Sequence, residues 1–355
     1  MILALTGGFL GSGKTTAIVK ACKSLISKNK KVAVITNDQG NQQVDSAFVR
    51  AMGVMVREVG NGCFCCQYNE LENHLQQLEA SEHPEIVFAE SVGSCTDLIA
   101  TIVKPLYRRW PDWKTVVSVF ADASFLNALM EGNKLFEDES IRYIYKKQLE
   151  EADVLVINKT DLITAVQLSN VDRVIRVEYP DKKILHQNSL LNVSSWITTL
   201  EEFRELTPRH SLDIDYDLYG EGESKLAWLD KSIVIQSFRG NGAFIAREII
   251  RSIFNSMQSR QYKIGHLKFF LEGEDWYEKI SFTATSTSGE VRIRHDEVFQ
   301  LKMLINARVQ VEPAQLKELM DEVIDLIKEA TACIITSEKE SVFKPGYPKP
   351  VHREV

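Results

Sequence analysis

At 355 residues the chain has the length of two ordinary domains, each able to bury its own core. It is 44% hydrophobic and 26% charged, the composition of a soluble globular protein, and no apolar run approaches the roughly 18 residues that a membrane span needs. Its net charge of -7 offers no cationic footprint for phosphates, so nucleic acid is excluded as a partner along with the membrane.

The opening "MILALTGGFLGSGK" lacks the positive start and small-residue cleavage site of a signal peptide. It reads as a buried strand, and the protein as cytoplasmic. Apolar runs at 2–6, 31–36, 54–59, 85–90, 115–121, 153–158 and 182–186 predict strands. Helix-length segments at 14–29, 69–81, 97–109, 138–151 and 164–177 separate most of them. Near-continuous Val/Ile strands alternating with helices predict a mostly parallel, doubly wound α/β sheet over residues 1–208. Acidic, glycine-containing sequence without helical periodicity at 209–225 reads as a linker. Beyond it, strands near 227–237, 263–271, 277–286 and 302–311 and helices at 242–260 and 313–330 predict a smaller α+β domain over 226–335. The proline-containing stretch 336–355 reads as an extended or disordered tail.

"GGFLGSGKTT" satisfies G-x4-G-K-[ST] between a strand and a helix. Gly8, Gly11, Ser12 and Gly13 would let backbone N–H groups close around a β-phosphate, helped by the positive end of the following helix. Lys14 would reach the β/γ oxygens, with Thr15 on Mg²⁺ and Thr16 beside it in the same turn. The base is chosen at "VLVINKTDL". There Asp161 can accept the paired N1–H and N2–H donors of guanine, which adenine lacks, so GTP is expected. Asn158 can bond N7 or tie its loop to the phosphate loop, and the Lys159 stem can lie over the ring. The apolar strand "EIVFAESVG" ends in Glu90, placed to reach Mg²⁺ or its waters, with Gly93 placed to meet the γ-phosphate. In "ITNDQGNQQVD", a segment with the length of a nucleotide-sensing switch, Asp38 is the candidate Mg²⁺ ligand and Asp45 a weaker one.

Together, "GGFLGSGKTT", "GNGCFCC", "ESVG" and "NKTD" resemble the CobW-like family of P-loop GTPases, whose relatives include nickel chaperones of urease and hydrogenase maturation. "LINARVQVEPAQLKELMDEVIDLI" resembles the end of that family's C-terminal domain, so the likeness spans the chain. The resemblance implies a GTPase domain, a small second domain, and delivery of a metal ion (Zn, Co or Ni) or a metal cofactor to a client metalloprotein or cofactor-dependent enzyme. Several segments depart from the family pattern. "NDQG" stands in place of N-E-[FY]-G, Gly7-Gly8 in place of Thr-Gly, and "HLKFFLEG" in place of R-x-K-G, and the linker is acidic where many members carry histidines.

Cys63, Cys65 and Cys66 match the family's C-x-C-C. Six cysteines in a reducing compartment are no disulfide framework, and closely spaced thiols on a glycine-flanked loop suit Zn²⁺ or Cu⁺. Buried packing is the bland alternative and redox chemistry a third. A tetrahedral ion needs one more ligand or a water. His74 and Cys95 are candidates, each also readable as structural, while Cys22 and Cys333 read as packing residues. GTP hydrolysis is expected to be slow in isolation, because no arginine finger stands in a motif position, and to be stimulated by metal, homodimerisation or a client. The rival readings are a regulatory GTP switch whose thiols only pack, and an ATP-dependent kinase using the same phosphate loop.

Overall fold

The structure, a computed structural model, describes residues 1–40, 44–132, 138–188, 192–204, 209–293, 295–331 and 333–355. In chain order it contains β1 (Ile2–Gly7), α1 (Lys14–Ile26), β2 (Val32–Asn37), α2 (Val44–Ala51), β3 (Val56–Val59), α3 (Tyr68–Ser81) and β4 (Ile86–Glu90). A π-helical turn, Ile99–Val103, runs into α4 (Lys104–Arg109). There follow β5 (Lys114–Asp122), α5 (Ala123–Met130), α6 (Glu139–Glu150), β6 (Val154–Asn158), α7 (Ala165–Glu178), β7 (Lys183–His186), α8 (Ser194–Glu202) and α9 (Tyr216–Ser224). The last elements are β8 (Ala227–Gln236), α10 (Gly242–Ser259), β9 (Lys263–Glu272), β10 (Tyr277–Thr283), β11 (Gln300–Gln310), α11 (Pro313–Thr331) and β12 (Ile334–Phe343).

Among the described residues the strands form two sheets. The first, in order β3-β2-β4-β1-β5-β6-β7, is parallel throughout. β2, β4 and β6 are buried along their whole length, as strands covered on both faces must be, which is why they read as unbroken apolar runs. Parallel pairing sends every strand's C-terminal end to one edge, and at such an edge ligands of open α/β sheets bind. The second sheet, β10-β9-β11-β8-β12, is antiparallel. α10 and α11 pack on one face of it, α10 through Ile245, Ile249, Ile253 and Met257, spaced for a single helical stripe.

By contact the chain divides into two units. One holds Met1–Gln39, Met52–Gly222 and Tyr347–Val355; the other holds Gly40–Ala51 and Glu223–Gly346. These groupings differ from the sequence cuts at both ends of the second unit. The segment read as a polar switch loop contains α2, which joins the antiparallel sheet: Val44 N–H donates to Asn306 Oδ1 at 2.9 Å, and Asp45 is paired with Lys268 and Lys279. Asn41, Gln42 and Gln43 of that segment lie outside the described residues. The acidic stretch read as a non-helical linker forms α9, because Asp215 caps its first turn through Asp217 N and Leu218 N at 3.0 Å and Tyr219 is fully buried beside Ile144 and Ile214. The stretch read as a tail begins with β12, a polar edge strand on β8. Its last residues, Tyr347–Val355, pack with the parallel sheet.

Candidate functional site

The phosphate loop connects β1 to α1. Gly8 has φ 124°, and a Cβ there would lie 2.2 Å from Phe120 O; Gly13 has φ 93°, and a Cβ there would lie 2.4 Å from Asn158 Nδ2. Only glycine fits either place. Lys14 is buried and donates from Nζ to Gly8 O at 2.7 Å, so its ammonium sits inside the loop it follows. Ser12 Oγ is buried with no hydrogen-bond partner. Thr15 Oγ1 donates to Glu90 Oε1 at 2.8 Å, joining the start of α1 to the end of β4, with both residues buried. Thr16 follows in α1. Gly93 lies against the phosphate loop, where a Cβ would come within 2.6 Å of Leu10 Cδ2. Asp38, half-buried just past β2, donates its N–H to Val59 O at 3.2 Å.

The N-K-x-D segment meets the same loop from β6. Asn158 Nδ2 donates to Ser12 O at 2.8 Å, so of its two expected partners the structure places it on the phosphate loop. Lys159, in a left-handed conformation at φ 58°, donates to Gly11 O and to Asp122 Oδ2, each at 2.7 Å. Asp161 stands exposed in the short helical turn Thr160–Leu162. Asp122 was not anticipated. It also caps α5 through Ser124 N at 2.9 Å, and the signal was present, since it is an acid closing an apolar strand like Glu90.

The cysteine loop runs from β3 to α3. Cys63, Cys65 and Cys66 place their sulfurs within 4.8 Å of one another, at 2.8 Å (63 to 65), 3.3 Å (63 to 66) and 3.9 Å (65 to 66). In a tetrahedral site with metal–sulfur bonds of about 2.3 Å, sulfurs lie about 3.8 Å apart, so an ion needs only a small spreading of this group. The loop is held by Asn37, the last residue of β2. Its Nδ2 donates to Gly62 O at 2.7 Å and Val59 O at 3.0 Å, and its Oδ1 accepts from Phe64 N at 2.8 Å. Asn37 is a second residue that sequence reasoning missed. The tail lies along the same loop: Lys349 N–H donates to Cys66 Sγ at 3.2 Å, Val351 N–H to Cys65 O at 2.9 Å, and His352 meets Tyr68 edge-on at 4.7 Å. His74 is turned elsewhere, its Nε2 on Glu58 O at 3.0 Å, and it is not part of the thiol group.

The thiols do not share their protons evenly. Hydrogen bonds with Cys65, Cys66 and Cys95 hold the Cys63 thiol well below its ordinary range. The bond to Cys63 raises Cys65 well above that range, and the same neighbour pushes Cys66 up to about 11. Of the three, Cys63 is thus the one whose thiolate form its neighbours favour. Cys22, buried in α1, is pushed up to about 12 by burial alone, as a packing residue would be.

A family model described as CobW/HypB/UreG, nucleotide-binding domain, matches residues 2–186. The chain belongs to this family. Over 185 residues it is 27% identical to the zinc chaperone YeiR of Escherichia coli (strain K12), covering 51% of this chain and 53% of that one. Over 192 residues it is 29% identical to the zinc chaperone CobW of Sinorhizobium sp, covering 46% and 52%. A zinc-regulated GTPase metalloprotein activator of Dictyostelium discoideum is 24% identical over 230 residues, covering 56% and 48%. The chain thus matches about half the length of these curated relatives. No helix among the described residues is long and apolar enough to cross a membrane.

Proposed function

We propose that this CobW/HypB/UreG-family chain binds GTP, hydrolyses it slowly to GDP and phosphate, and uses the nucleotide cycle to hold and release a transition-metal ion, Zn²⁺ before Co or Ni, for a client metalloprotein. The observation that carries this reading is the placement of Asn37. Its side chain grips the backbone of the cysteine loop, and its neighbour Asp38 opens the segment read as the nucleotide switch.

The residues present fit a nucleotide. Two positions in the phosphate loop have no room for a Cβ, and the buried Ser12 hydroxyl there has no protein partner. Gly8, Gly11, Ser12, Gly13 and Thr16 would hold the phosphates, and Lys14 would exchange the Gly8 carbonyl for β/γ oxygens. Thr15, Glu90 and Asp38 would hold Mg²⁺, which when bound neutralises charge developing on the phosphates. Gly93 offers its N–H to the γ-phosphate. Asn158 and Lys159 brace the base-side loop on the phosphate loop, leaving Asp161 exposed to accept from guanine.

Equilibrium binding of mant-GTP and mant-ATP tests the nucleotide half: mant-GTP is expected to bind far more tightly than mant-ATP, and Lys14→Ala to abolish the mant-GTP signal. Chelator competition tests the metal half. Zn²⁺ affinity is expected to differ at least about tenfold between the GDP form and a non-hydrolysable GTP analogue form, a coupling of about 1.4 kcal/mol that must act equally on nucleotide affinity. Identical Zn²⁺ affinities in the two forms would overturn delivery and leave a nucleotide switch whose thiols only pack.

A further inference from the structure

The cysteine loop offers three sulfurs, and a carried tetrahedral ion takes four ligands. We infer that Cys95 is the fourth sulfur, recruited to the ion held by Cys63, Cys65 and Cys66. This rests on the metal-delivery reading above.

Cys95 comes from a different part of the fold. It lies five residues beyond Glu90, in the loop after β4, and is buried. Its side chain is hydrogen-bonded to that of Cys63, the same thiol that contacts Cys65 and Cys66, so the four sulfurs are contiguous through Cys63. Cys95 is not within 4.8 Å of both other sulfurs, and a closed four-sulfur site therefore needs this side chain to swing toward them. Its backbone is fixed in place. Cys95 N–H donates to Val92 O at 3.0 Å, and Gln148 Nε2 of α6 donates to Cys95 O at 2.9 Å and Gly93 O at 3.0 Å. Next to it, Asp97 Oδ2 accepts from Tyr216 OH and from Arg353 Nε of the tail, both at 2.8 Å. A thiol that only packed would need no contact with the sulfur at the centre of the cluster; a ligand would.

The position also supplies what a carrier needs. Three ligands lie on one short loop and the fourth on the segment that carries Glu90, bonded to Thr15, and Gly93, packed on Leu10 of the phosphate loop. A small shift of that segment with the γ-phosphate would add or withdraw one thiolate, converting a closed four-sulfur site into an open three-sulfur one from which the ion can leave.

X-ray absorption at the zinc edge on the full chain, purified without an affinity tag and loaded with Zn²⁺ alone, counts the sulfurs directly. Four sulfurs are expected for the unaltered protein in its tighter-binding nucleotide form, and three sulfurs with one oxygen or nitrogen for Cys95→Ser. Chelator competition should show Zn²⁺ affinity lowered about 10- to 100-fold in that variant. Co²⁺ loading gives a second readout, since sulfur-to-metal charge-transfer absorption should fall in Cys95→Ser. Circular dichroism establishes that the variant is folded, and the sulfur count of the unaltered chain decides the matter even if it is not. Three sulfurs in both nucleotide forms of the unaltered chain would overturn the role of Cys95 while leaving delivery standing. Failure of the unaltered chain to bind Zn²⁺ would overturn both.

Discussion

At the scale of single residues, the N-K-x-D segment divides its labour in a way that its spelling does not reveal. Asn158 and Lys159 bond to Ser12 O, Gly11 O and Asp122, and in the function proposed above base choice is assigned to the exposed Asp161. Asp161→Asn should lower GTP affinity by about 1.5–3 kcal/mol, the range for a lost hydrogen bond to a charged group, and raise XTP affinity in return. Competition of GTP and XTP against mant-GDP measures both, and unchanged GTP selectivity would refute the assignment. The thiols make a pH prediction. Metal binding requires thiolates, and in the metal-free protein Cys65 and Cys66 are held protonated, Cys66 up to about 11. Lowering the pH adds competing protons, so Zn²⁺ affinity should fall with decreasing pH more steeply than one proton per ion. Competition titrations at several pH values between about 6 and 8 give the slope. A slope near zero would mean that Cys63 alone binds as thiolate, and a slope of one that only one of Cys65 and Cys66 gives up its proton.

At the scale of elements, the cysteine loop is a connection between β3 and α3 with its shape imposed from β2. Its own sequence provides the turn, Asn61 at φ 59° and Gly62 at φ 156°, with Cys66 N and Gln67 N closing on Cys63 O. The three hydrogen bonds of Asn37 and the burial of Phe64 fasten that turn to the sheet. Asn37→Ala should therefore leave the thiols in place chemically but loosen their spacing. The expected result is a loss of about 1–3 kcal/mol in urea unfolding, from the Gly62 carbonyl and the Phe64 N–H losing their bonds to Asn37, together with weaker Zn²⁺ binding that no longer differs between nucleotide forms. If the difference persists at full size, the coupling runs through another element.

At the scale of the whole molecule, the unit containing the antiparallel sheet is organised on one face by apolar packing and on the other by buried charge. Asp230 and Arg308 are fully buried and paired at 2.8 Å. Asn306 Nδ2 also donates to Asp230 Oδ1 at 2.7 Å, and the guanidinium lies 3.9 Å from the centre of the Trp228 ring. Gly40 approaches so closely that a Cβ would fall 1.5 Å from Asp230 Oδ2. Asp230→Ala should cost about 3–5 kcal/mol, because it strands a buried guanidinium; urea unfolding measures it, and a change under about 1 kcal/mol would contradict the buried pairing. Asp45 gives the acid counterpart. Burial opposes its charge, but Lys268 and Lys279 outweigh that and hold the carboxyl well below its ordinary value. Its folded value being depressed, the stability it contributes is present above about pH 4 and is lost as pH falls through the folded value. Lys279→Met should be destabilised at neutral pH, with the deficit shrinking below about pH 4. A deficit independent of pH would mean that the lysine acts through its packing on Phe48 instead, where its Nζ lies 4.7 Å from the ring centre.

Most of the parallel sheet was legible in the sequence because each of its features is local. Strands buried on both faces read as apolar runs, a glycine-rich turn followed by Lys-Thr is spelled within ten residues, and three thiols in four positions announce themselves. Where the reading stopped, distant partners decide. α9 carries two glycines and five acidic residues in and around it, and beyond the Asp215 cap no local rule makes it helical; Tyr219 buried against Ile144 and Ile214 does. β12 is polar and becomes a strand only because β8 offers an unpaired edge. The same division runs through the site. Sequence alone placed Gly8, Lys14, Thr15, Glu90, Asp161 and the three cysteines in their motifs. Only the folded chain could put Asn37 on the cysteine loop, Asp122 on Lys159, the tail's N–H groups on Cys65 and Cys66, and Cys95 beside Cys63, because contacts between residues tens to hundreds of positions apart leave no period or spacing for a sequence to display.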